Sequence, residues 1–307
     1  MQSGYDLIGD IHGHAGELIK LLGKLGYADS GDGYSHPKRK VIFLGDFIDR
    51  GEHLSQHEEL LLMVMKMVEN GHAYAVLGNH EFNALAFHTL HDGDYLRKHT
   101  SKNTEQHQAF LNEFEHKPAL KKRILDFFWS LPMWLEIDGI RVVHACWDKK
   151  SIQLLQEKSS TRVLSEDLLV EASTKGSDAY MAIETILKGV EVPLPSGINF
   201  KDKDGHVRDA VRIQWWNNQA VELGDVALPF ELDIGEASRS SIPEYVPRYG
   251  EDEIPCFIGH YWLNGQPCVL EKNIACVDYS VAKGGRLVAY RWSGEKVLTN
   301  DKFISVE

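Results

Sequence analysis

The chain has 307 residues, about twice an ordinary single domain, so one large α/β domain and two smaller ones both fit its length. Its composition, 43% hydrophobic and 25% charged, excludes global disorder and fibrous repeats. The 33 basic against 45 acidic residues give a net charge of -12, which opposes binding to a polyphosphate backbone, so nonspecific nucleic-acid binding is not expected.

Tyr5 to Gly9 is a short apolar run, and Leu18, Leu21, Leu22 and Leu25 then recur at helical spacing within Glu17 to Leu25. Lys40 to Gly45 reads as a second buried strand, Leu54 to Glu69 as a helix with Met63, Met65 and Met67 as core filler, and His72 to Leu77 as a third strand. Strands alternating with helices predict a largely parallel α/β sheet covered on both faces. Polar helices follow at Thr104 to Glu115 and Ala119 to Leu131. His88, His91, His99, His107 and His116 show no common metal-ligand spacing and read as a solvated helical face, with His88 or His91 as the ones that would border a substrate.

Ile140 to Val143, Cys256 to Ile258, Ile274 to Asp278 and Arg286 to Trp292 are further strand candidates, the last two joined by Gly284-Gly285. Between about 150 and 250 the pattern weakens to helices at Val163 to Ala172 and Asp178 to Leu187 and a turn at Asp202 to Gly205. Because apolar strands resume afterwards, this stretch reads as an insertion or cap on one domain spanning 1–307. Met1 to Asp6 has no basic stretch leading into an apolar one, and Leu60 to Val68 is short and contains Lys66, so neither a signal peptide nor a membrane span is expected. The four cysteines, Cys146, Cys256, Cys268 and Cys276, lack CxxC spacing, read as core thiols and suit a reducing cytoplasm.

Three early strands end in Gly9-Asp10-Ile11-His12-Gly13, Gly45-Asp46-Phe47-Ile48-Asp49-Arg50-Gly51 and Gly78-Asn79-His80-Glu81, and two later ones in His144 and Gly259-His260. In open α/β sheets, functional groups gather beyond the carboxyl ends of parallel strands. Carboxylate, imidazole and amide oxygen together suit divalent first-row metals.

This ordered set resembles the calcineurin-like metallophosphoesterases, in particular the phosphoprotein phosphatase branch with its bacterial relatives. Those relatives include protein phosphatases, diadenosine polyphosphate hydrolases and the phosphatase module of polynucleotide kinase-phosphatases. The likeness is close over 5–81 and looser over 140–146 and 254–292. It implies a four-layer α-β-β-α sandwich with mixed sheets and a helical or irregular insertion. It further implies two divalent metal ions, with manganese expected and iron, zinc or cobalt as alternatives. Asp10, His12 and Asp46 would hold one, and Asp46, Asn79, His144 and His260 the other. A water between the cations would attack phosphorus in line.

By the same resemblance His80 is the general acid, Asp49 orients it, and Arg50 and Asn79 hold phosphate oxygens. A second phosphate arginine is sought in the late region, where Arg212 is the choice, with Arg208 and Arg248 as alternatives. Trp215 and Trp216 read either as insertion core or as a substrate platform. Tyr279 reads either as packing or as a neighbour of the metals, His14 as a supporting or exposed residue, and Cys146 as a packed thiol. After His144 stands Ala145-Cys146-Trp147, where the eukaryotic protein phosphatases show Gly-Gly-Leu.

The reading is thus a cytoplasmic metal-dependent phosphatase acting on phosphomonoesters, with phosphoprotein as the leading substrate and dinucleoside polyphosphates or other nucleotides as the alternative. A non-catalytic scaffold of this superfamily would have lost ligands, and none is missing here.

Overall fold

The computed structural model describes residues 4–50, 56–201, 207–229 and 232–307. Gly51, the Leu54 start of the second helix and the Asp202 to Gly205 turn lie outside the described residues. Strands Gly4–Ile8, Arg39–Phe43 and Ala73–Ala75 pair in parallel, with Leu7 opposite Ile42, as their βαβ spacing requires. Arg286–Trp292 joins the free edge of Gly4–Ile8 antiparallel and also pairs with Asp278–Tyr279 and Phe303–Val306, the last a strand not anticipated.

The strands divide into two mixed sheets, as the family resemblance implies, and the parallel order read from the early βαβ spacing holds within the first. Trp134–Ile137, Ile140–Val143, Cys256–Ile258 and Ile274–Cys276 form a separate four-stranded one. The predicted strand Ile274 to Asp278 is divided at Val277, so Ile274–Cys276 lies in one sheet and Asp278–Tyr279 in the other.

Side-chain alternation explains why the sheets stack. Tyr5, Leu7, Ile42 and Val76 meet Ile140, Val142, Phe257 and Ala275 in one buried cluster, with the Phe257 and Tyr290 rings 5.2 Å apart. The opposite faces, carrying Ile8, Val41 and Phe43 on one sheet and Val143, Cys256 and Ile258 on the other, belong to the second core cluster. That cluster also holds Leu18, Leu21, Leu60 and Val64 from helices Ala15–Leu25 and His57–Glu69, and Leu155, Ile183 and Ile186 from helices Lys149–Lys158 and Asp178–Lys188. The result is the four-layer α-β-β-α sandwich.

In the 150–250 stretch, helices Lys149–Lys158 and Glu166–Ser173 precede Asp178–Lys188, and Glu191–Pro193, Ala210–Ile213 and Ala227–Leu228 form a small sheet. Trp215 and Trp216, each 2% exposed, are core, and the Trp215 indole donates to Ala145 O (3.1 Å). The platform alternative is therefore excluded for this pair. Tyr279 also packs, 3% exposed and against Phe303. Cys146, Cys256 and Cys276 are buried, but Cys268 is exposed, contrary to the core-thiol expectation. Burial holds the Cys146 thiol well above its ordinary pKa, which makes it an unreactive packed group. Among the described residues no helix is long and apolar enough to cross a membrane.

Candidate metal centre

The loops after the strands are joined by backbone hydrogen bonds before any side chain is considered. Ile11 N and His12 N both donate to Asp46 O (3.0 Å each), and Gly13 N donates to Phe47 O (2.9 Å). Their turns place His12, Asp46, Asp49, Arg50 and His260 in the left-handed region, with φ between 45° and 70°. Each such non-glycine residue costs on the order of 1–3 kcal/mol and persists only where its surroundings enforce it. Gly45 permits a close approach: its φ is +87°, and a Cβ there would lie 2.4 Å from Gly78 N.

Glu81 fastens the same turns. Its buried carboxylate accepts the N–H groups of Asp46 (2.8 Å), Phe47 (2.8 Å) and Gly78 (3.1 Å), and as the third residue of helix Asn79–His88 it reaches back to the N–H of the residue that opens the helix. The sequence signals the cap, but the reach to Asp46 and Phe47 is tertiary and no local pattern announces it.

Residues scattered from 10 to 260 converge here, all buried: Asp10, His12, Asp46, Asp49, Asn79, His80, His144 and His260. Asp46 Oδ2 stands 3.4 Å from His144 Nε2, 3.8 Å from His12 Nε2 and 4.0 Å from His80 Nε2. Donor atoms of His12, Asp46 and His80 lie within 4.8 Å of one another, and so do those of Asp46, His144 and His260, so Asp46 is common to both groups. Asn79 Oδ1 is 3.1 Å from His144 Nε2. Asp10 lies outside the two groups, and its oxygens accept the His260 N–H at 3.2 Å.

The imidazoles are prepared as ligands. His12 Nδ1 donates to Ile48 O (2.8 Å) and His144 Nδ1 to Leu44 O (2.6 Å), which turns each Nε2 into the site. His12 Nε2 and both ring nitrogens of His260 are buried without a hydrogen-bond partner. Burial lowers the pKa of His12 to about 3, against the pull of Asp46, and burial and then Arg212 hold His260 well below its ordinary value, so both rings are neutral. Burial, then Asp278, raises Asp10. Burial opposes protonation of His144, but Asp46 and Asp10 outweigh it and raise that ring to about 10. The neutral rings of His12 and His260, with bare lone pairs, and His144, whose proton a cation would displace, stand beside crowded carboxylates and are a donor set that fits two divalent cations sharing Asp46.

Next to this cluster His80 Nδ1 is 2.8 Å from Asp49 Oδ2. Burial works against both charged forms, but His107 and His80 hold Asp49 well below its ordinary pKa, and Asp46 and Asp49 raise that of His80. The other Asp49 oxygen is 3.0 Å from His107 Nδ1. His107 is therefore not on a solvated face, as its polar neighbours suggested, but 4% exposed. His88 lies behind it, Nε2 to Nε2 at 3.2 Å, whereas His91 is exposed. His99 stacks between Phe87 (3.8 Å) and Tyr95 (4.0 Å).

Arg50 is exposed and its guanidinium lies 4.6 Å from the Trp262 ring centroid, with Lys283 Nζ 3.6 Å from the same ring. The Trp262 N–H donates to the buried carboxylate of Asp278 (2.7 Å). Arg212 is tied to Glu191 (3.1 Å), yet its Nε is buried and unpartnered and its charge reaches His260. Arg208 lies on the exposed strand Val207–Arg208, and Arg248 donates to Asn218 O (2.9 Å). His14 Nδ1 supports its own loop through Ile11 O (2.9 Å).

Residues 5–182 match the family model described as calcineurin-like phosphoesterase. The chain is 30% identical over 174 residues to a bis(5'-nucleosyl)-tetraphosphatase PrpE (asymmetrical) of Oceanobacillus iheyensis, covering 56% of this chain and 67% of that protein. It is 31% identical over 175 residues to the protein of the same name from a Geobacillus species, covering 56% and 69%. In structure it is similar to a protein serine/threonine phosphatase from Saccharomyces cerevisiae (TM-score 0.51, 16% identity, 99% of this chain and 79% of that one). It is also similar to a cold-active protein-tyrosine phosphatase of a Shewanella species (TM-score 0.50, 14% identity, 100% and 81%). At such identities these two likenesses speak to the fold alone.

Proposed function

This chain belongs to the calcineurin-like phosphoesterase family of metal-dependent phosphoric ester hydrolases with a dinuclear divalent centre, and on that premise we propose that it hydrolyses phosphomonoesters, phosphorylated protein side chains foremost. One observation carries the choice of ester: His80 is fixed by Asp49 at 2.8 Å through Nδ1, so that its Nε2 faces the Asp46 cluster. A positioned acid is needed where the leaving oxygen is an alcohol or phenol and departs badly without a proton.

Asp10, His12 and Asp46 would hold one cation, and Asp46, Asn79, His144 and His260 the other, with manganese proposed for activity. Once bound, such a pair supplies Lewis acidity toward phosphate oxygens and an activated water. Arg50 offers a planar fork to the non-bridging oxygens. The unpartnered Nε of Arg212 provides a second cationic contact, and Asn79 orients the phosphate from the cluster side. His80 delivers its Nε2 proton to the leaving oxygen while Asp49 keeps the other ring proton on Nδ1. A cytoplasmic setting fits four free cysteines, three of them buried.

A second reading keeps the site and changes the bond to the anhydride of a dinucleoside polyphosphate. The names of the bacterial relatives favour it, and so does the cationic, aromatic rim of Arg50, Trp262 and Lys283, which suits a longer run of phosphates. The test is His80→Ala assayed on a phosphopeptide and on a dinucleoside tetraphosphate. A loss of about 10²–10⁴ in turnover on the peptide with a small loss on the anhydride supports the ester assignment. A wild-type protein that cleaves only the anhydride overturns it.

A further inference from the structure

His107 interrupts what the sequence reads as one helix, Thr104 to Glu115. The chain forms Ser101–Gln106 and Gln108–Phe114, with His107 between them at φ -105° and ψ 6°. The break carries the imidazole inward. It stacks on Phe110 (4.7 Å, 16° between planes), packs against Phe87 (5.1 Å), and reaches Asp49 Oδ1 at 3.0 Å, the oxygen that His80 leaves free. Behind it, His88 Nε2 is 3.2 Å from His107 Nε2.

We propose that His107 is a positioning residue for the general acid, the third member of a His107, Asp49, His80 array that the His88 ring closes from outside. This rests on the reading of His80 as the acid.

The tautomers follow from the distances. An ionised carboxylate only accepts, so His80 and His107 must each carry a proton on Nδ1. His107 Nε2 meets His88 Nε2 at 3.2 Å, so one of these two nitrogens donates and the other accepts. With both oxygens engaged, Asp49 cannot rotate away from His80, and His80 is kept in the one tautomer and orientation that presents Nε2 to the phosphate site. Without His107, Oδ1 turns toward the small pocket lined by Asn83, Arg97 and Gln106, where another donor or water draws the carboxylate off its line to His80.

The experiment uses the metal-loaded full chain and a series of aryl phosphates running from p-nitrophenyl phosphate to phenyl phosphate. For His107→Leu we expect the loss in kcat to grow along the series as the leaving group becomes more basic, reaching roughly ten- to hundredfold, the weight of one hydrogen bond to a charged group. His107→Asn, whose amide N–H can occupy the place of Nδ1–H, recovers most of it, and His107→Gln, with its donor further out, recovers less. A residue that merely braces the helices would give an equal loss on every ester, and that uniform loss overturns the proposal, as does no loss at all. If His107→Leu fails to fold, the order of Asn and Gln decides: equal recovery refutes the role. His80→Ala is run alongside. Should it lose activity uniformly, the acid assignment itself falls. Should it show the leaving-group dependence while His107→Leu does not, only the positioning role falls.

Discussion

Glu81→Ala tests how the site is held together. The carboxylate, fully buried, accepts three backbone N–H groups, those of Asp46, Phe47 and Gly78. Removing it leaves three buried donors without a partner, at about 1–3 kcal/mol each, so about 3–9 kcal/mol if none is rescued. One or two waters entering the space vacated by the side chain would restore part of this, which places the expected loss in the lower half of that range. For a chain of this size about 4 kcal/mol lowers the melting temperature by roughly 6 °C. Asp46 and Asn79 lie on the released turns, so metal affinity should fall further than stability does. Thermal denaturation with and without added manganese reads both, because a bound ion raises the melting point with the logarithm of its affinity. An unchanged melting temperature, or one that falls while the shift on adding metal is preserved, would refute the role given to Glu81.

Two further outcomes are expected. Arg50→Lys keeps the charge but loses the planar fork and its stack on Trp262, so kcat/KM should drop about tenfold at constant fold, a loss carried largely by KM. An unchanged KM would contradict the phosphate-gripping role. Glu253 is held below the ordinary carboxylate pKa, burial opposing and Lys149 (2.9 Å) and Arg141 (2.6 Å) prevailing. A depressed carboxylate stabilises the folded state above its unfolded pKa, and the gain is lost as pH falls through the folded value. Glu253→Gln should therefore cost about 1 kcal/mol at pH 7 and nothing once the carboxyl is protonated in acid. A difference that persists into acid would show that packing, not charge, is responsible.

The strands and their terminal motifs were legible because burial and turning leave marks in the sequence: apolar runs, then glycine, then a polar side chain. Ile140 to Val143, Cys256 to Ile258 and Arg286 to Trp292 appear with the bounds read from sequence. Partition into two sheets came from the resemblance and was not legible in the strand pattern itself, because a fully buried strand has the same apolar composition in either sheet, and the crossing at Val277 is a single residue. His107 was hidden for the opposite reason. It sits among Gln106, Gln108 and other polar neighbours, and only the break between two helices, stabilised by Phe110 and Asp49, turns it inward. Trp215 and Trp216 could be assigned to the core only once Ala145 O was seen to accept the indole proton.

Whether Asp46 serves two cations at once is read from the metal content of the purified full chain after loading with manganese and removal of free ion. A shared Asp46 gives two equivalents per chain for the wild type, one for His260→Ala, and less than one for Asp46→Asn. Two equivalents retained by Asp46→Asn, or a single equivalent in the wild type, would contradict it.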